Sequence, residues 1–239
     1  MMSAEMPDPM GAAIQAYWEG EKNASIEVYT KQADPDEIPV SYLFRKWEEM
    51  PEREQFALEL CQGKTLDIGA GAGSHSLALQ DLGKEVTALE ISERSSAVMK
   101  KRGVRQVLRG DFYTLSPQPF DTLLLLMNGI GLAGTIENLP NFLATCRTWM
   151  GAQSQILLES SDILYLYEEE DGSVLIDLNS NYYGELTYEM QYKQERSKPF
   201  PWLFIDYDLL KDIAQQAGFI AELLLVEEDG HYLARLRFA

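Results

Sequence analysis

Short apolar runs alternate with amphipathic stretches between positions 64 and 160, and one run, Leu123-Leu124-Leu125-Leu126, offers no polar side chain to either face. A strand of that kind must be covered on both sides, which points to a parallel sheet with helices above and below it. The spacing predicts strands at 65–68, 86–91, 104–108, 121–127 and 155–159, with helices at 74–82, 93–102 and about 140–150 between them. Ser92 is placed to N-cap the second helix, while Gly83 and Gly103 end the first two. A further helix at about 208–217 is closed by Gly218, and residues 221–226 and 231–238 then flank Asp229-Gly230. An Asp-Gly pair between strands favours a tight hairpin, so the last strand runs antiparallel to its neighbour. The expected fold class is α/β: a doubly wound, mostly parallel sheet with an antiparallel C-terminal hairpin and helices on both faces.

Two regions break the alternation. Residues 1–60 read as helices joined by loops, with helical segments at 11–18 and 51–61, a Pro/Asp-rich turn at 33–39, and no strand run. Pro51 stands at the favoured first helical position. This portion is expected to cap a main domain spanning residues 61–239. The second region, at about 161–205, is too long for a simple connection. Within it Leu186, Tyr188, Met190 and Tyr192 alternate with polar residues, and 174–178 is expected to pair with that strand across 179–184 as a hairpin lid. The stretch Lys198-Pro199-Phe200-Pro201-Trp202-Leu203-Phe204, with Tyr182 and Tyr183, makes the insertion aromatic and stiff. Such a surface serves either as a wall of a substrate pocket or as a homodimer contact.

Charge narrows the partners. With 38 acidic and 20 basic residues the chain carries a formal −18, which repels a polyphosphate, so nucleic acid is not an expected partner. No apolar run approaches the roughly 20 residues a bilayer needs, and the acidic start has no basic leader region. Cys61 and Cys146 are too few for a disulfide framework and lack metal-ligand spacing. The run Glu168-Glu169-Glu170-Asp171-Gly172 reads as a solvated loop. These features predict a cytoplasmic protein with a small-molecule substrate, no membrane contact and no metal.

The first strand-to-helix turn carries the chemistry: Thr65-Leu66-Asp67-Ile68-Gly69-Ala70-Gly71-Ala72-Gly73-Ser74-His75. Gly69 and Gly71 allow a sharp turn and close approach of a ligand, and the following helix N-terminus offers N–H groups to an anion. A dinucleotide fingerprint would carry Gly or Ala at position 74, where Ser74 stands, and its pyrophosphate would meet Asp67 unfavourably. S-adenosylmethionine has an ammonium for Asp67 and a carboxylate for the helix N–H groups. Glu90, 19 residues after Gly71, stands near the offset at which an acid reaches ribose hydroxyls. Asp111 can accept from an adenine amino group and Phe112 can cover a ring face, while Met127-Asn128-Gly129 closes the strand beside the presumed substrate position, with Met127 and Asn128 as the last expected cofactor contacts.

At these residues the chain resembles the class I S-adenosylmethionine-dependent methyltransferases, over roughly residues 64–160 and the terminal hairpin. The resemblance implies a seven-stranded sheet with one antiparallel strand. It also implies that Asp67, Gly69, Ala70 and Gly71 hold the methionine end, Glu90 the ribose, Ile91 the adenine face, and Asp111 with Phe112 the adenine edge. Asn128-Gly129-Ile130-Gly131 departs from the Asn/Asp-Pro-Pro-aromatic run of relatives that methylate exocyclic amines or amides. The expected reaction is methyl transfer to a small molecule by in-line displacement. The alternative is a scaffold or sensor that binds the cofactor without catalysis; an NAD-dependent oxidoreductase is opposed by Asp67. No catalytic base is assigned, with Tyr17, His75 and the lid tyrosines as candidates and Asn128 as an orienter. Tyr17, Trp18, Tyr42 and Arg45 either close over the methionine end or pack the cap onto the sheet, and His231 is expected to be a solvated turn residue.

Overall fold

Residues 7–169, 171, 173–176 and 181–239 are described by a computed structural model. The N-terminal portion is not all helical as expected. After α1 (Pro9–Trp18) come two strands, β1 (Ser25–Tyr29) and β2 (Asp36–Pro39), and only then α2 (Glu52–Leu60). Pro51 is the N-cap of α2 rather than its first residue. The expected alternation follows: β3 (Lys64–Ile68), α3 (Ser74–Asp81), β4 (Glu85–Glu90), α4 (Glu93–Arg102), β5 (Val107–Arg109), β6 (Phe120–Leu125), α5 (Leu139–Thr148) and β7 (Met150–Ser161). The insertion contains β8 (Glu185–Tyr192), β9 (Glu195–Arg196) and β10 (Phe200–Leu203), and the chain ends with α6 (Tyr207–Gln216), β11 (Phe219–Val226) and β12 (His231–Phe238).

The main sheet has seven strands in the order β11-β12-β7-β6-β3-β4-β5. Its pairs from β7 through β5 are parallel, and β12 lies antiparallel to both β7 and β11. The four leucines of β6 and its end explain themselves by alternation: Leu123 and Leu125 enter the core with Phe142, Leu143 and Cys146 of α5, whereas Leu124 and Leu126 join Ala57, Leu58, Ala78 and Leu79 from α2 and α3. At roughly 2 kcal/mol for each fully buried leucine, two-sided burial makes this strand the centre of the fold. Ser92 Oγ accepts from the Ser95 N–H, and Gly103, at φ +101°, ends α4 after Lys100, Lys101 and Arg102, whose charges suit a helix C-terminus.

A second sheet, β10-β8-β1-β2 with β9 beside β8, joins the cap to the insertion. Its central register sets Glu27 opposite Gln191, Val28 opposite Met190 and Tyr29 opposite Glu189. The expected hairpin partner for β8 is therefore corrected: β8 pairs with β1 and β10, while Val174 forms an isolated bridge with Glu168. Residues 177–180 of that expected hairpin, Glu170 and Gly172 of the acidic run, and residues 1–6 lie outside the described residues. The cap strands escape sequence reading because β1 has only Ile26 and Val28 as buried positions, and its second partner, β8, stands more than 150 positions downstream. Cys61 and Cys146 are free and buried, and among the described residues no helix is long and apolar enough to cross a membrane.

Candidate active site

The C-terminal ends of β3, β4 and β6 meet around the glycine turn. Gly69 and Gly71 have φ of +75° and +56°, conformations open to glycine at no steric cost. The N–H groups of Gly69 and Ala70 both donate to the Leu89 carbonyl, at 3.0 and 3.1 Å, which sets the turn against β4. A Cβ built on Gly69 meets no atom within 4 Å, so open space lies over the turn. Gly73 has the opposite reason for being glycine: a Cβ there would lie 2.9 Å from Met99 and Val104.

Glu90 ends β4 with both carboxylate oxygens engaged. The Gly71 N–H donates to Oε2 and the Ser92 N–H to Oε1, each at 2.8 Å. Burial pushes this carboxyl above its ordinary value, opposed by the Ser92 and Gly71 N–H groups, with the charge of Asp8 adding to the rise. The next residue, Ile91, is 60% exposed, an apolar side chain turned to solvent beside a buried acid. Asp111 accepts from the Tyr113 N–H at 2.9 Å. Phe112 is buried and stacks on Trp149 with ring centroids 5.6 Å apart, so its ring belongs to the core beneath this loop.

Asp67 is buried at the end of β3 and its Oδ2 accepts from Ser76 Oγ at 2.7 Å, in the first turns of α3. Burial pushes its carboxyl up, and the neighbouring His75 and Ser76 work against that rise. His75 Nε2 lies 2.8 Å from Glu54 Oε2, and the Arg45 guanidinium bridges both Glu54 oxygens, stacks over the Tyr42 ring and approaches His75. Burial raises the Glu54 carboxyl, but His75 and Arg45 outweigh it and hold the group below its ordinary value. Arg45 is thus committed to Glu54, and Tyr17 packs on Phe44 with ring centroids 4.6 Å apart. Of the two roles open to Tyr17 and Arg45, packing is the one their contacts satisfy, whereas Trp18 stays exposed.

Met127 and Asn128, just past β6, both have left-handed backbones, with φ of 54° and 55°. Such a conformation costs a non-glycine residue about 1 kcal/mol or more, so it has to be held from outside. The Met127 N–H donates to Glu159 Oε2 at 3.0 Å, Asn128 Nδ2 donates to the Leu203 carbonyl at 3.0 Å, and Asn128 Oδ1 accepts from Ser160 Oγ at 3.1 Å. Asn128 therefore fastens the end of β6 to β10. Glu159 also accepts from Arg53 Nε at 3.0 Å, and Arg53 reaches on to Glu227. In the insertion, Tyr182 donates to Asp206 and Tyr183 to Asp162, and burial pushes both phenols well up. Glu227, Asp229 and His231 hold potential ligand atoms within 4.8 Å of one another, with Arg53 already paired to the first of them. His231 is half-buried and its Nδ1 lies 3.0 Å from Asp229.

Sequence reading missed Glu54, Glu159, Arg53 and Asp8. A signal existed for two of them. Glu54 shares the inward face of α2 with Ala57 and Leu58 at helical spacing, and Glu159 closes the apolar run Ile156-Leu157-Leu158.

Comparison with known proteins gives one consistent picture. A family model described as a methyltransferase domain matches residues 66–150. A crystal structure of an S-adenosylmethionine-dependent methyltransferase from Bacteroides fragilis, in complex with S-adenosyl-L-homocysteine, is 42% identical over 100% of this chain and 98% of that one, with a TM-score of 0.92. The CcbJ methyltransferase from Streptomyces caelestis shares the fold at 16% identity, with a TM-score of 0.60 over 82% of this chain and 99% of that one. An uncharacterized methyltransferase from Staphylococcus carnosus is 36% identical over 64 residues, which amount to 26% of this chain and only 31% of that relative's length.

Proposed function

The chain belongs to the S-adenosylmethionine-dependent methyltransferases, and from that premise we propose how its own residues hold the cofactor and what class of molecule it methylates. When bound, S-adenosylmethionine supplies a methyl group on a sulfonium for in-line displacement by an acceptor. Gly69, Ala70 and Gly71 form the floor under its methionine end, where the α3 N–H groups favour a carboxylate. Asp67 receives the amino group, because an ammonium beside a buried carboxyl restores the ionised form that burial opposes. Glu90 takes the ribose hydroxyls, Ile91 lies on the adenine face and Asp111 takes the adenine edge, with Phe112 anchoring that loop from the core. Met127 and Asn128 form the acceptor side of the crevice. Holding acceptor and methyl in line supplies much of the acceleration, so this reading needs no dedicated base.

The observation that carries the cofactor assignment is the buried Glu90 carboxylate tied to the Gly71 N–H while the adjacent Ile91 stays exposed. Calorimetric titration of the protein with S-adenosylmethionine, S-adenosylhomocysteine and NAD, repeated on Asp67→Ala and Glu90→Ala, tests it. Binding of NAD alone overturns it, as does unchanged cofactor affinity in both variants.

In the same reading residues 1–60 are a cap, residues 61–239 the methyltransferase domain, and about 161–205 its lid. The sheet shared by β1, β2, β8 and β10 supports treating cap and lid as one cover. The acceptor is a small neutral or cationic molecule, in keeping with the net charge of −18, and the protein works in the cytoplasm. It pairs as a homodimer through the insertion, where Tyr165, Leu166, Val174 and Leu175 stay exposed. Sedimentation at several concentrations checks the dimer, and a panel of metabolites checks the acceptor.

A further inference from the structure

Three segments far apart in the chain converge on Asp8. Its Oδ1 accepts from the Gly11 N–H at 2.8 Å, capping α1, and its Oδ2 accepts from Ser92 Oγ at 2.6 Å. Ser92 in turn donates its N–H to Glu90 Oε1, so Asp8 stands one residue removed from the acid that also holds Gly71. On its other side the Asp8 N–H donates to Glu195 Oε1 at 2.7 Å, and Arg94 pairs with Glu195 Oε2 at 2.7 Å. Glu195 lies in β9, which pairs with β8, and β8 pairs with β1 of the cap. The junction is tight: a Cβ at Gly11 would come within 2.2 Å of both Asp8 Oδ2 and Ser92 Oγ. α1 therefore docks on the start of α4 only because position 11 has no side chain.

We propose that Asp8 is a positioning residue for the cofactor site, holding Glu90 through Ser92 and strapping cap and lid to it through Glu195, so that cofactor leaves only when this strap opens. The inference rests on the assignment of Glu90 to the cofactor. Its test is the dissociation rate of S-adenosylhomocysteine from the full-length protein, measured by rapid mixing alongside the thermal midpoint of the ligand-free variants. Serine caps a helix as well as aspartate does, but its shorter side chain does not reach Ser92, so Asp8→Ser keeps the α1 cap and breaks the link to Ser92, whereas the link from the Asp8 backbone N–H to β9 is broken by Glu195→Ala. The expected result is dissociation at least fivefold faster in Asp8→Ser and in Glu195→Ala, with the double variant no faster than the faster single one. Gly11→Ala separates the strap from local helix stability, because helix propensity favours alanine and by itself predicts a higher midpoint with an unchanged rate. Faster dissociation in Gly11→Ala supports the strap. Rates within twofold of wild type in Glu195→Ala and Gly11→Ala overturn it, whatever the folding of Asp8→Ser. Glu90→Ala distinguishes the two levels: retained affinity there removes the cofactor assignment itself, whereas lost affinity there with unaffected strap variants removes only the strap.

Discussion

The backbone N–H of Gly71 donates to Glu90 Oε2 at 2.8 Å, joining the turn after β3 to the end of β4 across 19 positions. The acid expected to clasp a sugar thus also shapes the turn expected to face the methionine tail. The two halves of the proposed cofactor site are one hydrogen-bonded unit. Ser92 holds the other oxygen of the same carboxylate, which leaves its remaining lone pairs for donors arriving from the crevice.

Glu90→Gln should weaken S-adenosylhomocysteine by about ten- to a hundredfold, because hydrogen bonds to a charged group contribute about 1.5–3 kcal/mol. Calorimetry checks it; a loss below twofold would remove Glu90 from the site.

Cofactor affinity should rise with pH. Burial places the Glu90 carboxyl above its ordinary 4.5, and hydroxyl donors favour its ionised form, so binding releases a proton and strengthens as pH rises through the raised value. In the ligand-free protein the sign is reversed: a raised folded pKa contributes stability that is present below 4.5 and lost as pH rises. Asp67 is shifted in the same direction, so titrations on Glu90→Gln and Asp67→Asn should each flatten part of the profile. A flat wild-type profile from about pH 4.5 to 8 would contradict the linkage.

Glu54→Ala should destabilise the fold by about 3–5 kcal/mol, since it leaves the buried Arg45 guanidinium without its partner. The wild-type contribution is present above the ordinary 4.5 and is lost as pH falls through the lowered folded value, because Glu54 binds fewer protons folded than unfolded. Urea unfolding at neutral and acidic pH reads both effects, and a cost below about 1 kcal/mol would show that the Arg45–Glu54 pair is not what holds α2 to the segment before it.

Gly131→Ala should unseat β10. A Cβ there would lie 2.2 Å from the Trp202 ring, and overpacking of this kind costs about 1–3 kcal/mol. A changed Trp202 fluorescence with weakened stability is the expected outcome, whereas an unaltered spectrum would mean that the ring moves aside freely.

The main sheet was legible because its signals are local. Leu123 to Leu126 announce two-sided burial, Ser92 and Gly103 bracket α4, and Asp229-Gly230 turns the last hairpin. The strand-turn-helix unit that carries Asp67, Gly69 and Gly71 was legible for the same reason, since residue type and spacing within it are local signals. Phe112 was less so: an aromatic after a strand suits a ring face or the core equally, and contact with Trp149 across the fold selected the core.

The order of strands and helices between residues 64 and 160 and in the terminal hairpin, and the charge pattern at the first turn, were determined by the amino-acid sequence alone, because each depends on neighbours within a few positions. Tertiary structure decided that cap and insertion share a sheet, that Arg45 serves Glu54, and that Asp8 reaches Glu90 through Ser92. The shared sheet sets Glu27 against Gln191 and the Asp8 N–H donates to Glu195, 187 positions away, and no local propensity encodes which distant strand or carboxylate a segment will meet.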